Sequence, residues 1–271
     1  MPHLDVPGAV VYYETAGHVS APALLLLHAG IGHLRMWDPQ VAALSARHFV
    51  IRFDARGCGK TRTDDVAFSD SADALAILDH LGVESATLIG CSRGGTTALD
   101  IAVEHPERVA GLVTVGGGPS GFPEVGLSDA EDTLSDALDD AFTARDAERL
   151  ARLEVVLWAV GPLRREEDLD PDFVAIAYAL NLDNLAHADE HPRPVPLDPP
   201  AVDRVIEITV PALITVGEYD LTPVLAEYEF LLEVLPAASG CTFRNTAHLP
   251  SVEHPAEFQR VLVSWLARNG L

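Results

Sequence analysis

Short runs of apolar and β-branched residues alternate with longer amphipathic segments along most of the chain. The short runs predict seven strands, at residues 9–15, 23–27, 49–54, 86–90, 110–115, 211–216 and 240–244. The amphipathic segments predict helices at residues 36–47, 71–81, 93–104, 223–235 and 255–269. Several strands, such as Leu24 to Leu27, are apolar without alternation, as in a parallel sheet that helices cover on both faces. The pattern therefore predicts a three-layer α/β fold with a mostly parallel sheet.

The alternation stops between residues 120 and 205. There the pattern predicts only helices, at residues 128–145, 147–159 and 171–186, followed by a proline-rich stretch at 192–200. This segment holds 20 Asp/Glu and 7 Arg, a net charge of −13 within a chain total of −23. An all-helical insertion in an α/β domain is typical of a cap, or lid. We therefore predict a core domain from residues 1–119 and 206–271 and a helical cap at 120–205.

The net charge bears on partners and location. A charge of −23 without a basic cluster argues against binding to nucleic acid or to an anionic membrane surface. Three cysteines make no disulfide framework, and no secretory signal or run of about 20 apolar residues is visible. We expect a cytoplasmic protein that acts on a small molecule. The sequence does not distinguish a monomer from a homo-oligomer.

The segment Gly90-Cys91-Ser92-Arg93-Gly94 fits the pattern Gly-x-Ser-x-Gly. It follows a predicted strand and opens a predicted helix without an intervening loop. Glycines on both sides of Ser92 allow the sharp strand-to-helix turn that exposes a nucleophilic hydroxyl. The motif and its context predict that Ser92 is a nucleophile, although a glycine-rich helix start that serves packing alone has the same letters.

A serine hydroxyl needs a base, and the base needs a group that orients it. His248 follows the last predicted strand, and Asp220 follows the strand before it. The order Ser, Asp, His is the order of this arrangement in α/β hydrolases. His254 and His187 are the competing histidines, and Glu218 is the competing carboxylate.

Acyl transfer also needs hydrogen-bond donors for the oxyanion. The backbone N–H of Arg93, directly after the predicted nucleophile, is one candidate. The other is the N–H of Gly30, in the loop that follows the strand at 23–27. A tight turn without catalytic purpose is the alternative for that loop.

Taken together, these features resemble the α/β-hydrolase fold family over nearly the whole chain. The matching segments besides the Ser92 motif are His28-Ala29-Gly30, Met36-Trp37-Asp38-Pro39, Asp54-Ala55-Arg56-Gly57-Cys58-Gly59, Glu104-His105-Pro106-Glu107-Arg108-Val109, Gly217-Glu218-Tyr219-Asp220, Ala247-His248 and Glu253-His254-Pro255. The chain is most similar to capped bacterial members of the 3-oxoadipate enol-lactonase-like and cofactor-free haloperoxidase-like kind. The resemblance implies eight strands, a helical cap after the sixth, a Ser–His–Asp triad, and neither metal nor organic cofactor.

The function expected from this resemblance is hydrolysis of a carboxylic ester or lactone through an acyl-enzyme. A serine at position 92 argues against haloalkane dehalogenases and epoxide hydrolases, which use a carboxylate. Two alternatives stay open: a C–C bond hydrolase or lyase with the same triad, and a non-catalytic ligand-binding protein of the same fold. Trp158, His28 and Ile31 are the candidate substrate contacts. We expect the Arg93 side chain to pair with a nearby carboxylate of the cap or of a loop, which favours neutral substrates.

Overall fold

The computed structural model describes residues 2–271. Its main sheet contains β1 (His3–Val6), β2 (Ala9–Ala16), β3 (Ala23–Leu27), β4 (Phe49–Phe53), β5 (Ala86–Cys91), β6 (Val109–Val115), β7 (Ala212–Gly217) and β8 (Ala238–Phe243). The strand order is β1-β2-β4-β3-β5-β6-β7-β8. The pairs β1–β2 and β2–β4 are antiparallel, and every later pair is parallel. The two-residue strand Arg62–Thr63 adds to β2 at the antiparallel edge.

Nine α-helices accompany the strands in residues 2–271. They are α1 (Asp38–Leu44), α2 (Asp70–His80), α3 (Arg93–Glu104), α4 (Asp129–Thr143), α5 (Ala147–Glu154), α6 (Pro171–Leu182), α7 (Thr222–Val234), α8 (Pro250–Glu253) and α9 (Pro255–Asn269). None of these helices combines the length and the apolar composition that crossing a membrane would require.

Both faces of the sheet are buried under helices. Along β3, Leu25 and Leu27 pack into one hydrophobic cluster with side chains from α2 and α3. Leu24 and Leu26 pack into a second cluster with side chains from α1 and α9. Because alternate residues of one strand enter different clusters, the strand is apolar throughout. This arrangement confirms the predicted three-layer α/β architecture.

The helices α4, α5 and α6 lie in the connection from β6 to β7, the sixth and seventh strands of the main sheet. The prediction of helices alone in this connection is wrong in one detail, because Arg193–Pro194 pairs as a short parallel strand with Ala67–Phe68. A two-residue pairing is too short to leave an alternating pattern. The division into a core and a cap at residues 120 and 205 stays a prediction.

The predicted helix at 147–159 is also interrupted. The α-helical geometry ends at Glu154, and Val155–Val160 continue as a π-helix. The Gly161 N–H donates to the carbonyl of Val156 at 3.0 Å, which closes this wider turn. Such turns are rare in soluble proteins and often occur at functional sites. This one carries Trp158 toward the ends of the parallel strands.

Candidate active site

Ser92 occupies the turn between β5 and α3. Its backbone angles are φ 51° and ψ −118°, a combination that residues other than glycine rarely adopt. The Ser92 N–H donates to the carbonyl of Val115 at 2.9 Å, which joins this turn to the end of β6. Although Ser92 is the N-cap residue of α3, its hydroxyl accepts no capping hydrogen bond within residues 2–271. The predicted nucleophile therefore lies on a strained strand-to-helix turn, with a hydroxyl that the helix does not use.

The turn packs directly against the loop after β3. A Cβ atom at Gly94 would collide with the carbonyl of Leu27 and lie 2.8 Å from the carbonyl of His28. The Arg93 N–H begins α3, so it has no acceptor inside the helix. Neither this N–H nor that of Gly30 donates to another group in residues 2–271. Both predicted oxyanion donors are therefore free to bind an anion, and their role stays a prediction.

His28 is held by backbone groups on both sides of its ring. Its Nε2 accepts a hydrogen bond from the Ala55 N–H at 2.8 Å, and its Nδ1 lies 2.8 Å from the Ala29 carbonyl. Burial lowers the pKa of His28 to about 4. A neutral ring with the proton on Nδ1 satisfies both contacts. The ring thus shapes the loop after β3, where Ile31 is buried; substrate contacts for either residue stay predictions.

Asp220 and His248 form a buried pair. The His248 Nδ1 lies 2.9 Å and 3.0 Å from the two carboxylate oxygens of Asp220. The Asp220 side chain is 1% exposed and the His248 side chain is 2% exposed. The other ring nitrogen, Nε2, has no hydrogen-bond partner among residues 2–271. With the proton held on Nδ1 by the carboxylate, Nε2 is free to accept a proton, as a general base requires.

Two consecutive glycines pack between this pair and the turn that carries Ser92. A Cβ atom at Gly116 would lie 2.9 Å from both the Asp220 Oδ2 and the His248 Nδ1. A Cβ atom at Gly117 would lie 2.9 Å from the Ser92 carbonyl. Ser92 and the Asp220–His248 pair, which are far apart in the chain, therefore lie near one another at one edge of the sheet. They follow β5, β7 and β8, at the ends where ligands bind in open parallel sheets.

The competing residues have other environments. The Glu218 carboxylate accepts a hydrogen bond from the Asn245 N–H at 2.9 Å. His254 lies between α8 and α9, where its backbone caps both helices. His187 is buried, with its Nδ1 2.9 Å from Glu190. The geometry favours the pair predicted from chain order.

Trp158 covers His248 from the side of the helical connection. The two ring centroids are 4.6 Å apart, at an interplanar angle of 43°. The Trp158 carbonyl also accepts a hydrogen bond from the His248 N–H at 3.3 Å. The indole therefore borders the candidate site, and its contact with substrate stays a prediction.

The Arg93 side chain is engaged away from the predicted oxyanion position. Its guanidinium donates two hydrogen bonds to the Asp70 carboxylate, at 3.2 Å and 2.7 Å, and a third to the Arg56 carbonyl at 3.3 Å. A carboxylate partner for Arg93 is confirmed, but Asp70 is the first residue of α2, whereas the expected partner belonged to the cap or to a loop. Asp70 therefore neutralises the charge of the residue that follows the predicted nucleophile.

Glu227 is a nearby carboxyl group that the sequence reasoning missed. Its side chain fills the space over Gly118, where a Cβ atom would collide with the carboxyl group. Burial raises the pKa of Glu227 to about 7; His248 opposes the rise and Asp220 adds to it. Glu227 shares a helix face with the buried Val224 and Leu231, three and four residues away. That spacing was the signal that could have identified it.

The raised pKa predicts a pH-dependent stability difference. Between an unfolded pKa of about 4.3 and the folded value, the folded state holds a proton that the unfolded chain lacks. Stability is therefore lost as the pH rises through this interval, and the loss is complete above about pH 7. We expect Glu227→Gln to raise the free energy of unfolding more at pH 8 than at pH 5, as measured by urea denaturation. Glu229→Gln, at an exposed position of the same helix, is the control; an equal effect of Glu227→Gln at both pH values would contradict the prediction.

Comparison with known proteins identifies the class. Residues 22–255 match the family model described as alpha/beta hydrolase fold, which spans most of the chain. The chain belongs to the α/β-hydrolase fold family, as its motifs predicted. Within residues 2–271, no group of three or more His, Cys, Asp and Glu side chains is arranged to hold a metal ion.

Several individual relatives carry the names of hydrolases. The chain is 25% identical to 3-oxoadipate enol-lactonase 2 of Acinetobacter baylyi over 98% of its length and 96% of the relative. The enol-lactonase structure from Burkholderia xenovorans LB400 has a TM-score of 0.78 at 24% identity and covers 98% of this chain and 100% of that chain. A carboxylesterase structure from Nitrososphaera gargenis has a TM-score of 0.80 at 22% identity and 99% coverage of both chains. At these identities the two structures show the shared fold.

Proposed function

We propose that the protein hydrolyses a carboxylic ester or lactone by means of a Ser92–His248–Asp220 triad. The observation that carries this proposal is the buried Asp220–His248 pair near Ser92, which has a strained backbone and a hydroxyl that makes no capping hydrogen bond. On several unrelated folds, acyl transfer is performed by a carboxylate that orients an imidazole and an imidazole that takes the proton of a serine. The similarity to an enol-lactonase over the whole chain supports the same class of reaction.

In the proposed reaction, the Ser92 hydroxyl oxygen attacks the carbonyl carbon while His248 Nε2 takes its proton. The carboxylate of Asp220 stabilises the imidazolium that forms. The N–H groups of Gly30 and Arg93 bind the negative oxygen of the tetrahedral intermediate. Collapse of the intermediate breaks the ester C–O bond, and His248 protonates the leaving oxygen. A water molecule, deprotonated by His248, then attacks the carbonyl carbon of the acyl-enzyme. The bond to Ser92 breaks, the Ser92 oxygen regains its proton from His248, and the acid is released.

We further propose that the connection at residues 120–205 acts as a cap over this site. Trp158 of this connection already lies against His248. The connection contributes a net charge of −13, so substrates that carry several negative charges would be repelled as they approach.

A fluorophosphonate probe and a substrate panel test this proposal. The probe is expected to label Ser92 in the purified protein, because it reacts with an activated serine hydroxyl. The panel contains p-nitrophenyl esters, lactones and vinylogous diketones. Labelling with ester or lactone turnover supports the proposal. Labelling with turnover of the diketones alone would assign C–C hydrolysis, and the absence of labelling and turnover would assign a non-catalytic binding protein.

The pairing of Arg93 predicts a preference for neutral substrates. Because Asp70 neutralises the guanidinium, Arg93 offers no free positive charge to a substrate carboxylate. We expect kcat/KM for a neutral lactone or ester to exceed that for a matched carboxylated analogue by about tenfold at low salt, and by less at high salt. Arg93→Met is expected to leave this ratio unchanged, as is the control Arg108→Met at a surface pair with Asp79. A higher rate on the carboxylated substrate that Arg93→Met abolishes would overturn the preference.

A further inference from the structure

A buried ion pair joins the helical connection to the segment that carries His248. Arg164 follows the π-helical turn, and Glu253 ends α8. Their side chains are only 8% and 6% exposed. The Nη1–Oε1 distance is 2.6 Å and the Nη2–Oε2 distance is 3.1 Å. This two-pronged geometry is among the strongest that a guanidinium and a carboxylate form.

The remaining donors of Arg164 bind backbone carbonyls on both sides of the junction. Nε donates to the carbonyl of Val160 at 2.6 Å, and Nη2 donates to that of Ala159 at 2.9 Å. Nη1 donates to the carbonyl of Asn245 at 2.7 Å. With the two bonds to Glu253, all five N–H donors of the guanidinium have acceptors. One side chain therefore fastens the end of the π-helical turn to the residues on either side of His248.

The π-helical turn also contacts the residues that precede His248 and Asp220. A Cβ atom at Gly161 would lie 3.0 Å from the Cβ of Ala247 and 3.0 Å from the carbonyl of Tyr219. Ala247 precedes His248, and Tyr219 precedes Asp220. A displacement of this turn would therefore move the backbone on which the imidazole and its carboxylate partner are mounted.

The same turn presents Trp158 to the imidazole. The indole and imidazole centroids are 4.6 Å apart, and the Trp158 carbonyl accepts the His248 N–H. Arg164 binds the carbonyls of the two residues that follow Trp158. The guanidinium therefore fixes the piece of backbone from which the indole and its carbonyl reach His248.

We propose that Arg164 is a positioning residue that, together with Glu253, holds Trp158 against His248 and fixes the imidazole relative to Ser92. This inference rests on the proposed hydrolase function. Arg164 touches neither Ser92 nor a reacting atom in this arrangement. It acts through the backbone of the turn and of the His248 segment, and displacements of about 1 Å in such groups can cost about 10²-fold in rate.

Arg164→Lys tests the proposal with little change in charge. A lysine has three donors on one nitrogen, so it cannot bind Glu253 and three separate carbonyls at once. We expect kcat for a p-nitrophenyl ester to fall about 10- to 100-fold while KM changes less than about threefold. The rate of fluorophosphonate labelling is expected to fall by a similar factor. Arg165→Lys is the matched control, because Arg165 is 68% exposed and pairs with Asp168 at the surface.

A spectroscopic readout is independent of turnover. The fluorescence of Trp158 is obtained by subtracting the spectrum of the matching Trp158→Phe protein, since the chain has three tryptophans. Acrylamide quenching of this difference signal is expected to increase in Arg164→Lys and to stay unchanged in Arg165→Lys. Glu253→Asp shortens the carboxylate side of the pair and provides a second variant in case Arg164→Lys does not fold, with the same changes expected.

The outcomes separate this inference from the proposed function. A folded Arg164→Lys protein with wild-type kcat and wild-type Trp158 quenching would overturn the positioning role, whatever the substrate. A loss of kcat that only parallels the unfolded fraction at the assay temperature would also overturn it. If the wild type shows neither ester turnover nor labelling of Ser92, the proposed function fails, and the Trp158 quenching still decides whether Arg164 fixes the indole.

Discussion

Ser92→Ala is expected to lower kcat by about 10⁴- to 10⁶-fold and to abolish fluorophosphonate labelling. The reason is chemical, since alanine has no hydroxyl to attack a carbonyl carbon. The fold should persist, because the Ser92 side chain caps no helix and the turn is held by backbone hydrogen bonds to Val115, Gly95 and Thr96. Steady-state kinetics with a p-nitrophenyl ester measures the loss, and thermal unfolding monitors the fold.

Ser264→Ala is the control for this substitution. Ser264 lies at an exposed position of α9, and its replacement is expected to leave kcat unchanged. If purified Ser92→Ala kept more than about a tenth of the wild-type rate, the proposed nucleophile would be wrong.

Those parts of the fold that depend on local pattern could be predicted from the sequence. The helices at 93–104 and 255–269 have the predicted bounds, and the strand at 23–27 does as well. The two helices have apolar residues at helical spacing, the strand is apolar throughout, and residues that start or stop an element bound each of them. The strand β1 was missed because His3–Val6 is only four residues long. Its residues alternate between exposed and half-buried, so the strand has no fully buried face.

The candidate site was predictable because its members follow strands. A parallel sheet brings the carboxyl ends of its strands to one edge, so residues just after β5, β7 and β8 had to approach one another. On this ground the sequence predicts Ser92, Asp220 and His248 as members of the site, and their catalytic roles stay predictions. The structure brings Asp220 and His248 into contact across 28 residues of sequence.

What escaped prediction depends on pairings that no local pattern records. Arg164 and Glu253 are 89 residues apart, and neither residue lies in a motif that specifies a partner. Another feature, the π-helical turn, follows from how the helical connection packs on the strand ends. Tertiary packing decides such features, whereas spacing along the chain does not.

His248→Ala is expected to lower kcat about as much as Ser92→Ala, by about 10⁴- to 10⁶-fold. Without the imidazole, the Ser92 hydroxyl keeps its proton and the leaving oxygen receives none. Asp220→Asn is expected to cost less, about 10⁴-fold, because the imidazole remains but loses the carboxylate that orients it and stabilises its charge. Kinetics with the same ester measures both losses. Thermal unfolding checks that His248→Ala stays folded, since its buried Asp220 carboxylate loses the imidazole and keeps the hydrogen bond from the Leu221 N–H.

His254→Ala is the matched control, because His254 lies six residues further on and contributes its backbone to the junction of α8 and α9. A substitution that keeps this backbone is expected to leave kcat within about twofold of wild type. Activity that survives in His248→Ala and is lost in His254→Ala would assign the base to His254. The buried hydrogen bonds between His248 and Asp220 would then serve stability, because a buried carboxylate needs a partner whether or not the pair takes part in chemistry.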